Sequence, residues 1–169
     1  MSIFFTADLH LGHANIIKYC NRPFESIQEM DRAIINNWNS RVQPNDTVYV
    51  LGDFCWHSES DYITILNGKK IFIKGDHDSW MADSTQRLMN IKVDNQAITL
   101  CHWKMEVWAK SHYGAWHLYG HSHGTLPPTG KSWDVGVDCN NFYPLSFSDV
   151  TKIMQERPDN FNLVKGDRH

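Results

Sequence analysis

The chain has 169 residues, 41% hydrophobic and 21% charged, with a formal net charge of −3. That length suits one compact domain with a core large enough to fold without staples, and the balance excludes a disordered chain. The small negative charge excludes a strong field for nucleic acid or anionic membranes, and no apolar run reaches the length of a membrane span.

Residues 3–5 read as a first buried strand ending at Thr6-Ala7-Asp8, and residues 14–20 as a short helix stopped near Pro23. Ser26 with Glu29 three positions on is a capping-box pattern. Behind it Ile27, Met30, Ile34, Ile35 and Trp38 recur at helical spacing, predicting a helix that ends before the Gln43-Pro44-Asn45-Asp46 turn. The β-branched run 47–51 predicts a strand ending at Gly52-Asp53, and residues 61–66 a helix. Residues 70–74 predict a strand ending at Gly75-Asp76-His77-Asp78. Residues 81–89 are expected to be helical. Short strands follow at 91–93 and 97–100 around Asp94-Asn95, then at 116–119 and, last, at 133–137. A final helix covers 148–155 after Ser146, and the tail beyond about residue 158 is expected to fray, having little to bury. Helices alternate with strands early and strands crowd together later, which favours an α/β sandwich with a mixed second half, as one domain over residues 1–169.

The start of the chain lacks the basic residues and long apolar run of a signal peptide. Cys20, Cys55, Cys101 and Cys139 are far apart and form no CxxC pair, so reduced thiols in a cytoplasmic protein are the expectation.

Five predicted strands end in a carboxylate or histidine: Asp8-x-His10, Gly52-Asp53, Gly75-Asp76-His77-Asp78, His102, and Gly120-His121-x-His123. Ligands of α/β sheets sit outside the carboxyl ends of strands. One such end is weak, because an Asp after a strand is more often a turn or cap residue. Five in order within one chain point to a shared site. In an extended segment Asp8 and His10 lie on one side and can reach one ion, and the same holds for His121 and His123. Imidazole with carboxylate suits Zn, Mn or Fe better than Mg or Ca.

This pattern resembles that of the calcineurin-like metallophosphoesterases: D-x-H, G-D, G-N-H-[DE], H and G-H-x-H in that order. The start Asp8-Leu9-His10-Leu11-Gly12-His13 is similar to that of small bacterial and phage members. The resemblance implies an α/β sandwich of two facing mixed β-sheets flanked by helices, with a dinuclear site at one edge. By position it implies that Asp8, His10, Asp53 and His123 hold a first metal ion. Asp76, His102 and His121 would complete a second site, with Asp53 bridging. His77 becomes general acid or phosphate ligand, and Asp78 the residue that orients its ring. The implied cofactors are two divalent or trivalent transition-metal ions, Mn, Fe or Zn, which clamp phosphate oxygens and lower the pKa of water to about 7. The implied reaction is phosphoester hydrolysis. Phosphodiesters rank first, phosphomonoesters and nucleotide pyrophosphates next, and a nucleotide or nucleic-acid end is a plausible partner. The alternative is a non-catalytic metal-binding interaction module on the same fold, against which the His77-Asp78 pair speaks.

Asp76 departs from the pattern, standing where the family has Asn. The site then has three ligand carboxylates rather than two. The extra charge is expected to tighten the second ion and weaken it as a Lewis acid. Asp76 is open to three accounts: a natural variant that keeps activity, a substitution introduced to slow catalysis, or drift toward binding. His13 is a candidate substrate contact or, equally, a surface histidine. Trp56, Trp80 and Trp103 each lie within three residues of a motif, and Trp108 and Trp116 follow. They read as a platform for a nucleobase or aryl group or, more ordinarily, as packing for the ligand loops. Arg22, Lys104 and Lys110 are candidates for neutralising a polyanionic substrate. His112 and His117 read as supports rather than ligands.

Overall fold

In the computed structural model, which describes residues 1–57 and 59–164, the first apolar run forms β1 (Ile3–Thr6). Its side chains alternate between two cores, Phe4 joining one and Phe5 the other, as the period of a strand buried on both faces requires. β1 pairs in parallel with β2 (Thr47–Leu51), and β2 in parallel with β3 (Lys69–Ile73). The second sheet runs in the order β4 (Leu88–Val93), β5 (Gln96–Cys101), β6 (Trp116–Tyr119), β7 (Ser132–Asp134). Its first pair is antiparallel and the others are parallel. A two-residue strand, β8 (Leu145–Ser146), closes the first sheet antiparallel to β1.

The inner faces meet through Phe5, Leu51 and Ile73 from one sheet and Val93, Ile98, Leu100 and Leu118 from the other. Burying each such side chain is worth about 1.5–3 kcal/mol, so the strand ends are held firmly. Outside lie α1 (Asn15–Tyr19), α2 (Ile27–Arg41), α3 (Glu59–Ile65) and α4 (Phe147–Glu156). α2 lays Met30, Ile34 and Trp38 into the same core as Phe4, Val48, Val50 and Phe54. Its cap is half of the predicted box. Ser26 accepts the Glu29 amide at 3.2 Å, whereas the Glu29 carboxylate takes the amide of Glu25. The complete box belongs to α4, where Ser146 and Asp149 bond reciprocally.

Three expectations are corrected. The helix expected over 81–89 is absent: residues 81–87 form turns, and β4 starts early, at Leu88. The buried Lys74 ammonium takes the Met81 carbonyl and the Asp83 carboxylate, each at 2.9 Å, and the Lys74 amide takes the Gln86 carbonyl at 3.0 Å. Carbonyls that a helix would use internally are thereby committed to the end of β3. The strand expected over 133–137 stops at Asp134, whose carboxylate accepts the Gly136 amide at 2.8 Å. Gly136 then bridges to Ala7, a turn over Val137–Cys139 follows, and the last strand is β8. The tail expected to fray is tied down as far as Val164. Asn160 is buried and donates to the carbonyls of Ser111 and Ala115 at 2.8 and 3.0 Å, and the Val164 amide reaches the His112 carbonyl. Residues 165–169 of that tail lie outside the described residues. No helix among the described residues is long and apolar enough to cross a membrane.

Candidate metal centre

The loops after β1, β2, β3, β5 and β6 meet at one edge of the sandwich. The loops after β1 and β2 run side by side, with Asp8 N bonded to the Gly52 carbonyl at 3.1 Å and His10 N to the Asp53 carbonyl at 3.0 Å. The His121 amide donates to Asp8 Oδ2 at 2.8 Å, joining the two sheets. Glycine permits the close approach of β2 and β3. A Cβ on Gly52 would lie 2.7 Å from Gly75 Cα and 2.5 Å from His102 Nδ1, and the φ of +87° there also favours glycine.

Two clusters of ligand-type atoms result. Asp8, His10 and His123 form one, Asp76, His102 and His121 the other, and Asp8, Asp53 and His102 link them. Asp53 Oδ2 sits 3.6 Å from His10 Nε2 and 3.5 Å from His102 Nε2. Asp8 Oδ1, His10 Nε2 and His102 Nε2 are buried and have no hydrogen-bond partner among the described residues. Each such orphan costs about 1–3 kcal/mol, and each stands in a His/Asp group whose ligand atoms could hold a cation. The tautomers are set for it. His102 Nδ1 lies 2.7 Å from the Leu51 carbonyl and His123 Nδ1 2.7 Å from the Asp138 carboxylate, so each Nε2 is left free to ligate.

Burial pushes the Asp8 carboxyl up to about 7, against the pull of His102 and His123. It pushes the His10 ring down to about 3. Burial also works to raise Asp53 and to lower His102, but in both cases mutual attraction wins. Asp53, beside His102, the His77 amide and His10, stays well below the usual carboxylate range, and His102, beside Asp53 and Asp8, rises to about 9. Shifted groups gathered at one edge in this way make the cluster a functional-site candidate.

The backbone is unusual at the same place. Asp8, His10, Asp53, His121 and His123 have φ of 57, 50, 54, 66 and 46°, a region that side chains other than glycine rarely adopt. This corrects the extended-segment argument. Asp8 and His10 meet because the chain curls, and His121 and His123 do not share a cluster: His121 turns to Asp76 and His102, His123 to Asp8 and His10. Ser122 makes the turn between them, its hydroxyl bonded to Asp134 at 2.7 Å.

Residues 1–167 match the calcineurin-like phosphoesterase family. The chain belongs to that family. An uncharacterised protein of Methanocaldococcus jannaschii is 32% identical over 166 residues, covering 91% of this chain and 92% of its own. The gene 66 protein of Mycobacterium phage L5 is 35% identical over 80 residues, 44% of this chain and 38% of its own. The crystal structure of a protein of unknown function from Aquifex aeolicus superposes with a TM-score of 0.69 at 22% identity, over 90% of this chain and 98% of its own. A Vps29 single mutant from Entamoeba histolytica does so with a TM-score of 0.50 at 20% identity, over 80% and 73%. At those identities the likeness is one of fold, two mixed sheets flanked by helices.

The remaining predicted site residues of this family member divide. His77 stands on the open side of the cluster, its amide bonded to Asp53 Oδ1 at 2.9 Å and its ring 5.6 Å from that of His10. Asp78 does not orient that ring. It is fully buried, and its carboxylate accepts the amides of Asp53, Phe54 and Gly75 at 2.8–2.9 Å, so no oxygen is turned to His77. Trp80 packs on Phe54 and Phe72, Trp108 is buried, and Trp103 donates to Asp76 at 3.1 Å. Lys104 bonds the Pro127 carbonyl, and Lys110 is an exposed residue with φ of 59°. His117 is a support, paired with the Thr99 carbonyl and the Met105 amide.

Arg22 is not placed to neutralise a substrate. It is buried, donates to the Asp8 and Leu9 carbonyls at 2.6 and 2.9 Å, and pairs with Asp138 at 2.8 Å through two nitrogens. Asp138 in turn holds His123. Neither Asp134, which falls inside the segment 133–137 expected as strand, nor Asp138, which follows it directly, has motif spacing. The one available signal is Asp134-x-Gly136, a carboxylate two residues before a glycine, which favours a turn over a strand.

Proposed function

We propose that this phosphoesterase hydrolyses phosphodiesters at a two-ion site. Asp8, His10, Asp53 and His123 would hold one ion, and Asp76, His102 and His121 the other, with Asp53 shared. The reading is carried by the three orphaned buried atoms facing Asp53, with a His/Asp cluster on either side. The donor set favours Mn, Fe or Zn. Ions held there supply positive charge for a phosphoryl group and lower the pKa of water.

The chain's own residues do the rest. His102 and His123 present fixed nitrogens. Asp8, His10, Asp53 and His102 lie out of solvent, where their charges act at low dielectric. His77 is tethered through its backbone with its ring free, which suits it to bind a phosphoryl oxygen or pass a proton to the leaving oxygen. The Asp76, His77 and His121 side chains are 43, 48 and 50% exposed. An edge this open accommodates an ester carrying two organic groups, which favours diesters over monoesters. The four free thiols fit a reducing compartment, the cytoplasm.

Hydrolysis of bis(p-nitrophenyl) phosphate with added manganese tests the proposal. Turnover is expected, to be abolished by chelation, and Asp53→Asn should lose bound metal. A metal-loaded protein inert with Mn, Fe and Zn would leave the interaction module standing instead. Asp76→Asn should weaken the second ion and quicken turnover. An unchanged rate and metal content would show that the extra charge has no role.

A further inference from the structure

We infer that the organic group of the substrate is a nucleoside, whose base stacks on Trp56. The inference rests on the hydrolase reading and names the class of ester it acts on. Trp56 follows Asp53 by three residues, and its position is set by backbone: its amide bonds the Leu11 carbonyl at 2.8 Å, and Leu11 N bonds the Phe54 carbonyl at 3.1 Å. The loop after β2 is thus pinned to the loop that carries Asp8 and His10. One face of the indole is covered by the His13 ring, with centroids 4.4 Å apart and planes 14° from parallel. His13 Nδ1 has no hydrogen-bond partner among the described residues, so stacking is what visibly holds that ring.

Even so, Trp56 is 44% exposed, whereas the other tryptophans are buried or partly covered. Tyr19, 74% exposed, stands edge-on to His13 at 6.4 Å. An exposed indole, backed on one face by His13, therefore borders the site. It is continuous with it, because His77 lies 5.6 Å from His10 and 5.8 Å from Trp56, ring to ring. An ester oxygen bound at His77 directs its substituent toward the indole. From His10 to Trp56 through His13 takes two ring-to-ring steps, of 5.6 and 4.4 Å. A base set off from phosphorus by a sugar spans that interval better than a ring joined directly to the ester oxygen. Stacking accepts any base, so no base preference is expected.

Calorimetry on the manganese-loaded protein tests this without turnover. The probes are the hydrolysis-resistant methylene phosphonate analogue of adenosine 5′-monophosphate and, for comparison, methylphosphonate. The nucleoside analogue should bind more tightly. Trp56→Ala should cut that advantage by roughly 5- to 150-fold, the range for removing a base–aromatic stack, with methylphosphonate affinity unchanged and Trp56→Phe restoring most of the loss. An advantage that is absent in the wild type, or that survives Trp56→Ala, overturns the inference. Failure of the two readings is distinguishable. No turnover of bis(p-nitrophenyl) phosphate together with a Trp56-dependent advantage removes hydrolysis and keeps the nucleoside site. Turnover without that advantage does the reverse.

Discussion

Arginine is almost never fully buried unless it is paired, and Arg22 shows what the pairing achieves. One guanidinium holds two carbonyls of the first motif loop and the carboxylate that fixes His123. Partners of this kind, behind the ligands, typically account for 10- to 100-fold in metal affinity. Asp138→Asn should therefore weaken metal binding by about that factor, read by competition with a chelating dye. Nitrogen NMR of His123 should show a mixture of tautomers in place of one protonated at Nδ1. The variant will also lose stability, by about 3–5 kcal/mol, because the Arg22 charge is left buried without its counter-ion. Metal binding is thus to be measured at a temperature where it remains folded. Unchanged affinity in the folded variant would show that His123 does not depend on Asp138. Nothing local in the sequence announces this contact, since Arg22 and Asp138 are 116 positions apart.

At the scale of elements, the site is a set of strand ends fastened to one another. Gly52 and Gly75 let β2 and β3 approach, and Asp78 accepts one amide from each side of that approach and a third from Phe54. An amide at position 78 must turn its NH2 toward at least one of these N–H groups. Asp78→Asn should thus destabilise the fold by about 2–3 kcal/mol, a fall of roughly 5–10 °C in melting temperature for a chain of this size. Were Asp78 instead a ring-orienting partner of His77, the variant would melt normally and lose kcat alone. The strand ends were legible because a buried run followed by glycine and a carboxylate is a strong local signal. The 81–87 turns and β8 were not, since Lys74 reaching across seven residues and a two-residue strand leave no periodic trace.

On the whole-molecule scale the site exists only when both sheets are assembled, because Asp8 comes from one and His121 and His123 from the other. Global stability is then a condition of function, and His117 makes that stability depend on pH. The ring is fully buried on the second sheet, its two nitrogens used by the Thr99 carbonyl and the Met105 amide, and burial lowers its pKa from 6.5 to about 4. Above pH 6.5 the ring is neutral in both folded and unfolded chains, and its full contribution is present. As pH falls from 6.5 to about 4 the unfolded chain takes the proton and the native state does not, so stability drops. At 1.36 kcal/mol per pKa unit the loss reaches about 3 kcal/mol. β6 turns His117 away from the inter-sheet core, which takes Trp116 and Leu118. The depth of that burial was not legible in the sequence, because it depends on Trp108 packing against the ring at a tilt of 34° from a loop with no pattern of its own. His117→Gln cannot take up that proton. It should be less stable than the wild type at pH 7, and the gap should narrow by about 3 kcal/mol by pH 4 in urea unfolding of chelator-treated protein. A gap that stays constant across that range would show the ring protonated alike in the folded and unfolded chains, and the acid sensitivity would have to come from the carboxylates.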